Sequence, residues 1–420
     1  MSALDRCASY EDYRRLAKRR LPRVLFDYID GGSYSETTLR RNAQALADTV
    51  IAQRVAVDAT HLDLAVDVFG TRWAVPIALA PLGFAGMFVR RGEVRAAHAA
   101  GIPFCRSTVG IAGINELRAS GLPFWFQLYI VRDREFVAGL MTRAAAAGCT
   151  TLIVTLDLPT PGIRYRDIRS RMTGRLDAAG QFRAAADVAI RPHWLWDVSV
   201  RGRPHSFGNL LGVAPEHGGF AAAWDWIGSN FDQSVTWDDV ARIREKWRGN
   251  LVVKGILHPK DALRAVACGC DGIVVSNHGG RQLDGATASI TALHAIVAAV
   301  GGRAAVLIDG GFRSGLDVLK ALKLGAQGVL LGRAWAMALA AGGERGVARM
   351  LTSIAAELRT GAVLSGGLRG GAAGQASSIE RRNAKMIDSS EGPSDYGQTR
   401  PAQPGGYPTP FQKCMFPFYP

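Results

Sequence analysis

The amino-acid sequence predicts an α/β fold: a (β/α)8 TIM barrel with a long insertion after its fourth strand and a poorly ordered C-terminal tail. Two observations lead there. Eight short apolar runs rich in branched side chains recur along the chain, continuous rather than alternating, as parallel strands covered on both faces require. Most are followed by Gly-rich or polar turns and then by Ala-rich segments of helical period, and eight strand–helix units in one chain favour a closed barrel over an open sheet.

In chain order the strands fall at Ile77–Pro81, Ile102–Thr108, Phe124–Tyr129, Thr151–Asp157, Leu251–Ile256, Gly272–Asn277, Ala305–Asp309 and Val329–Gly332. Helices are expected over Glu93–Ala100, Arg134–Ala147, Lys260–Cys268, Ala288–Val300 and Leu316–Leu324. One interval breaks the spacing: residues 159–249, between the fourth and fifth strands, carry Arg191, Trp194, Trp196, Arg201, Arg203, Trp224, Trp226 and Trp237. A loop longer than about 15 residues in a compact domain is usually functional or mobile. Two readings of this insertion stay open. Trp and Arg together suit a membrane interface, the indole in the headgroup layer and the cation against anionic lipid; a lid packed on the barrel rim is the other. From about Gly361 the composition shifts to Gly, Ser, Pro, Gln and Asn, so residues 1–361 are assigned to the barrel domain and 362–420 to the tail.

The 420 residues carry a net charge of +14, which attracts anionic phospholipid or small carboxylates. Lys and Arg are scattered rather than blocked, so nucleic acid is not the expected partner. The six cysteines lack the paired spacings of a zinc site, Cys268-Gly-Cys270 being too tight. No metal is therefore expected, and the thiols read as reduced and mostly buried. Charges in Met1-Ser-Ala-Leu-Asp-Arg6 argue against secretion. No apolar run reaches the roughly 18 to 20 residues of a spanning helix, the nearest, around Val329–Ala341, being broken by Arg333. The expected location is the cytoplasm, with attachment to a membrane surface left open.

In a barrel of this kind the chemistry sits at the C-terminal ends of the strands. The third strand delivers Gln127-Leu-Tyr129, the fourth Thr155-Leu-Asp157, the fifth Lys254, and the sixth Ser276-Asn-His278-Gly-Gly-Arg281. After the seventh and eighth come Asp309-Gly-Gly-Phe-Arg313 and Gly332-Arg333, where barrels commonly hold a phosphate on glycine amides and a helix N-terminus. The two arginines add charge-assisted bonds there. His278 is the candidate general base, because an imidazole accepts a proton at neutral pH, and Asp157 is available to orient its ring or stabilise imidazolium. Arg281 and Arg164 form a candidate carboxylate clamp, since guanidinium matches carboxylate in fork geometry. Lys254 closes the apolar run Leu-Val-Val-Lys, and two roles stay open for it: a Schiff-base nucleophile, or a fixed positive charge beside a reduced flavin ring.

The stretch Ser276-Asn-His-Gly-Gly-Arg-Gln-Leu-Asp284 resembles the active-site signature of the FMN-dependent 2-hydroxy acid dehydrogenase and oxidase family, a long and specific motif. The likeness runs from about Tyr10 to about Leu358 and includes Phe26-Asp-Tyr-Ile-Asp-Gly-Gly32, Ala80-Pro-Leu-Gly83, Phe126-Gln-Leu-Tyr129, Val253-Lys-Gly255 and Asp309-Gly-Gly311. Asp30-Gly-Gly-Ser-Tyr-Ser-Glu36, Arg90-Arg-Gly-Glu93, Pro159-Thr-Pro-Gly162 and Gly202-Arg-Pro-His205 are most similar to the bacterial membrane-associated L-lactate dehydrogenases, with the mandelate dehydrogenases as the nearest rival.

The resemblance implies an FMN cofactor, a small 2-hydroxy acid substrate, a quinone or cytochrome as electron acceptor, a homotetramer, and a peripheral place on the cytoplasmic face of the inner membrane. It implies that His278 takes the hydroxyl or α-carbon proton with Asp157 paired to it, that Arg281 and Arg164 hold the carboxylate, and that Tyr28 and Tyr129 touch the substrate. For the isoalloxazine and ribityl parts of FMN it implies Pro81, Leu82, Gly83, Ser107, Gln127, Thr155, Lys254 and Ser276. Asp309, Gly310, Gly311, Arg313, Gly332 and Arg333 are implied for ribityl and phosphate. Lys254 then becomes the counter-charge of the flavin. Two features depart from the family pattern: Arg106 stands where relatives usually carry an apolar residue, and after about Gly361 the final helix is not continued, through a genuine tail or a frame-shifted end.

Three functions follow for testing. The first is oxidation of L-lactate to pyruvate with a quinone or cytochrome as acceptor. The second is the same half-reaction on a bulkier acid such as mandelate, or with oxygen as acceptor. The third is a flavin-free phosphate-binding barrel, either a Schiff-base lyase through Lys254 or an inactive binding protein.

Overall fold

The computed structural model describes residues 2–170, 172, 177–202, 207–210 and 226–368. The tail from residue 369 and, within the insertion, Arg203 and Trp224 lie outside the described residues. A short antiparallel hairpin, β1 (Val66–Val68) and β2 (Thr71–Trp73), precedes eight parallel strands. These are β3 (Ile77–Leu79), β4 (Cys105–Ser107), β5 (Trp125–Tyr129), β6 (Thr151–Thr155), β7 (Asn250–Ile256), β8 (Gly272–Val275), β9 (Ala305–Ile308) and β10 (Gly328–Leu331). Each of the eight apolar runs has become one of them. From β4 to β10 each strand pairs with the next, and β10 pairs with β3. The ring closes where Leu79 N donates to Pro103 O at 2.8 Å and Leu79 bridges Phe104.

The continuous apolar runs resolve into two separate cores. Ala78, Cys105, Trp125, Ile153, Val252, Val274, Leu307 and Leu330 fill the barrel interior. Their neighbours in sequence, such as Phe126, Leu152, Val253, Ile273 and Leu331, belong to the layer between strands and helices. Side chains alternate along a strand, so stepping two residues on from the interior set reaches Ser107, Gln127, Thr155, Lys254, Ser276 and Asp309. A barrel interior packed with aliphatic side chains thus ends in a ring of polar ones.

The opposite end of the barrel is plugged by the β1–β2 hairpin, which the apolar pattern did not predict. Phe69 and Trp73 meet Trp125 with ring centroids 5.8 and 5.3 Å apart. Helices Gly92–Ala100, Ile114–Ala119, Arg134–Ala146, Trp237–Lys246, Pro259–Ala267, Ser289–Val300 and Gly315–Lys323 follow β3 to β9 in turn, and Arg333–Leu364, broken at Gly343, follows β10. Trp237, which the sequence placed in the insertion, begins the helix before β7; Thr236 and Asp239 form its capping box. The remaining insertion carries helix Ala178–Ala189 and the helical turns Pro192–Val200. At the N-terminus, α1 (Tyr10–Arg20), α2 (Arg23–Asp30) and α3 (Thr37–Asp48) wrap the barrel, α1 lying along the terminal helix. Among the described residues no helix is long and apolar enough to cross a membrane.

Candidate active site

The ring of polar strand ends forms one connected network. Lys254 Nζ donates to Ser276 Oγ at 2.7 Å and lies 3.0 Å from Asp309 Oδ2. Burial opposes its charge, but Asp309 and Asp157 outweigh that and hold the ammonium above its ordinary pKa. Lys254 is therefore a fixed cation. A Schiff-base role needs the neutral amine, which this environment disfavours. On the other side of the mouth Ser107 Oγ donates to Gln127 Oε1 at 3.0 Å.

His278 follows β8 in the left-handed region, with φ +56, succeeded by Gly279 and Gly280 at +65 and +72. Three such residues in a row turn the backbone sharply and lift the imidazole over the mouth. Its Nδ1 lies 2.8 Å from Asp157 Oδ1, which leaves Nε2 as the free ring nitrogen. Burial pushes the Asp157 carboxyl up, yet His278 and Lys254 more than offset this and keep it below the usual carboxylate range. Gln282 ties the two strand ends together, donating from Nε2 to Asp157 O and Thr160 O at 3.0 and 3.1 Å.

Arg281 and Arg164 meet across one ring. Their Cζ atoms stand 4.6 and 5.4 Å from the Tyr28 centroid. Arg281 donates to the Tyr28 and Gly31 carbonyls at 2.5 and 3.0 Å, and Arg164 Nε pairs with Asp167 at 2.8 Å. Burial, then the charge of Arg164, lowers the pKa of Arg281. Two guanidinium groups that repel each other across one ring can together hold an anion. Tyr28 and Tyr129 flank them; burial raises the Tyr129 phenol, so it stays protonated and able to donate.

The phosphate candidates divide. Gly310 and Gly311 adopt φ +100 and +97, and a Cβ on Gly311 would stand 3.1 Å from Asn42. Arg313 stacks on Tyr10 at 4.6 Å and faces Glu11 at 3.7 Å. Arg333 directs three donors at main-chain carbonyls of Ile29, Gly279 and Gly31, at 3.0, 2.9 and 2.7 Å, which leaves two N–H groups free by count. Burial, then Arg281, brings its pKa down to about 10. Arg333 thus also straps the N-terminal segment to the His278 turn.

Several positioning residues carried no signal in the sequence. Asn42 of α3 exchanges two amide hydrogen bonds of 2.8 Å with Asn277, beside His278. Ser289 Oγ accepts from Asn277 N at 3.2 Å. Asp30, by contrast, opens the family-like Asp30–Glu36 stretch; it binds Arg14 and Arg166, and Arg166 also reaches Glu36.

The donor set fits FMN. Gln127 Nε2, Thr155 Oγ1 and Asp309 Oδ1 are buried without a hydrogen-bond partner among the described residues. Each would cost about 1–3 kcal/mol if left so. A flavin offers them an amide-like ring edge and a polyol chain, and Lys254 a charge to face.

Residues 17–372 match the FMN-dependent dehydrogenase family. L-lactate dehydrogenase of Caulobacter vibrioides is 52% identical over 363 residues, 86% of this chain and 94% of that protein. L-lactate dehydrogenase of Stenotrophomonas maltophilia is 51% identical over 362 residues, 85% of this chain and 95% of its own length. Among solved structures, the monotopic membrane protein (S)-mandelate dehydrogenase superposes with a TM-score of 0.81 at 34% identity, covering 87% of this chain and 96% of the other. Mandelate oxidase with (S)-4-hydroxymandelic acid gives 0.75 at 38% identity, with coverage of 86% and 96%. Fold, strand-end chemistry and sequence likeness over most of its length agree that this chain belongs to the FMN-dependent dehydrogenase family.

Proposed function

We propose that the chain oxidises L-lactate to pyruvate and passes the electrons to a quinone or cytochrome. The observation that carries the reading is the His278–Asp157 pair set beside the Arg164–Arg281 clamp. Bound FMN supplies the acceptor for the two electrons that the substrate loses. Arg164 and Arg281 hold the carboxylate, and Tyr28 and Tyr129 border the carbon that reacts. His278 Nε2 takes a proton from the substrate, with Asp157 stabilising the imidazolium that forms. Ser107, Gln127, Thr155, Lys254, Ser276 and Asp309, with the main chain of Pro81, Leu82 and Gly83, hold the cofactor's ring and ribityl. Gly310, Gly311, Arg313, Gly332 and Arg333 take its phosphate.

Lactate is favoured over mandelate because the two L-lactate dehydrogenases are 51–52% identical to this chain, against 34–38% for the mandelate enzymes. Peripheral attachment to the cytoplasmic face of the inner membrane belongs to the same proposal, as does a homotetramer. Its support is an apolar surface on the insertion, where Phe182, Ile190 and Trp196 are 76, 74 and 60% exposed. Trp194 instead packs inward, its Nε1 donating to Met87 O at 2.9 Å, so rim packing and surface display share the segment. Steady-state turnover of L-lactate and L-mandelate with a quinone analogue or with oxygen tests the reading. A higher kcat/KM for lactate with the quinone is expected; mandelate preference, or peroxide formed at an equal rate, would overturn it.

A further inference from the structure

Arg106 lies on the outward face of β4 and is fully buried, at a position where an apolar side chain was expected. Removing a guanidinium from water costs several kcal/mol unless charge and hydrogen bonds compensate. Its counter-charge is Glu93, 1% exposed, with 4.0 Å between Nη1 and Oε1. That spacing leaves Arg106 Nε and Nη1 and Glu93 Oε2 without hydrogen-bond partners among the described residues. As a bridge the pair is therefore poor.

Both side chains instead grip one peptide unit. Arg106 Nη2 donates to Gly110 O at 3.2 Å, and Ile111 N donates to Glu93 Oε1 at 2.8 Å. That carbonyl and that N–H flank a single peptide bond. Gly110 makes the room: a Cβ there would stand 1.5 Å from Arg106 Nη1. Gly110 is not among the positive-φ residues, so space and not backbone freedom is what the glycine provides.

The gripped peptide directly follows the turn that presents Ser107. Gly110 N donates to Ser107 O at 3.2 Å and Val109 N to Ser107 Oγ at 3.3 Å. The same hydroxyl donates to Gln127 Oε1, which orients the unpartnered Gln127 Nε2. Phe84 N donates to Val109 O at 3.4 Å, joining the turn to the loop after β3.

We infer that Arg106 is a positioning residue for the cofactor: with Glu93 it fixes the Gly110–Ile111 peptide and so sets the Ser107–Gln127 pair against the flavin. The inference rests on Ser107 and Gln127 contacting FMN, as proposed above. It is tested on the holoenzyme by diluting it and following FMN release through the recovery of free-flavin fluorescence, with thermal melting recorded alongside. Arg106→Leu is expected to raise the FMN Kd about 3- to 10-fold, as part of the one charge-assisted hydrogen bond to Gly110 O is felt at the flavin, and to alter the shape of the visible flavin band. Arg106→Lys should fall between. Gly110→Ala should match Arg106→Leu and add much less in the Arg106→Leu background, because the guanidinium, 1.5 Å from the new Cβ, is the main obstacle and Glu93 Oε1, at 3.1 Å, a minor one. If Arg106→Leu does not fold, Arg106→Met fills more of the same volume without a donor for Gly110 O and should shift release in the same direction.

Unchanged FMN release with a lowered melting temperature would overturn the inference, leaving Arg106 a structural brace. Gly110→Ala harming both backgrounds equally would also overturn it. Gln127→Ala separates the two layers. If that variant releases FMN faster while Arg106→Leu does not, only the clamp is wrong; if it too binds FMN normally, the cofactor contact fails and the inference with it.

Discussion

Replacing Asp157 with Asn probes the centre of the site with almost no change of shape. The carboxylate lies 2.8 Å from His278 Nδ1, and full unit charges at that distance attract by about 6 kcal/mol at an effective dielectric of 20. Charge is delocalised over both groups and an amide keeps a hydrogen bond to the ring, so about 3–4 kcal/mol of this bears on the step in which the imidazole becomes charged. At 1.36 kcal/mol per tenfold, flavin reduction by L-lactate should slow about 10²- to 10³-fold. Binding should change little, because neither Arg281 nor Arg164 bonds to Asp157. Anaerobic stopped-flow at several lactate concentrations separates the limiting rate from the apparent Kd. A limiting rate within about 5-fold of wild type would refute the argument, as would a loss confined to Kd.

Arg281→Lys removes the fork and the bonds to Tyr28 O and Gly31 O, so KM for lactate should rise about 10- to 100-fold, more than kcat falls; an unchanged KM would contradict the clamp. Asp30→Asn should destabilise the fold by about 2–4 kcal/mol at pH 7, discounted because Arg14 and Arg166 are a third exposed. Burial raises the Asp30 pKa but the two arginines bring it below its ordinary value of 3.8. The contribution is therefore complete above 3.8 and lost as pH falls through the lower folded value, so urea melts of the two proteins should converge only in that acid range. Trp196→Ser should weaken binding to anionic vesicles about tenfold while leaving turnover with a soluble acceptor unchanged; equal vesicle binding would remove Trp196 from any membrane contact.

The barrel was legible because each parallel strand is covered on both faces, and covering leaves an unbroken apolar run such as Leu251-Val-Val or Ala305-Val-Leu-Ile. The same logic pointed to the candidate site, since the polar residues that follow each run lie at or just past a strand end. His278, Asp157 and Lys254 were found in this way and stand together. The β1–β2 plug left no such trace: its strands are three residues long and only Val66, Val68 and Trp73 face the core. Asn42 was invisible because its partner Asn277 is 235 residues away, and an asparagine on a helix face has no local signature. Arg333 stood at the expected place, but no sequence pattern announces a guanidinium whose bonds go to three backbone carbonyls. Trp237 was drawn into the insertion by its neighbours, although Thr236 and Asp239 already spelled a helix start.

The most direct test is anaerobic mixing of the purified protein with L-lactate, and separately with L-mandelate, while the visible flavin absorbance is followed before a quinone analogue is admitted. The account predicts a yellow protein that L-lactate bleaches faster than L-mandelate and that the quinone restores. A colourless protein, or a flavin that neither acid bleaches, would contradict it.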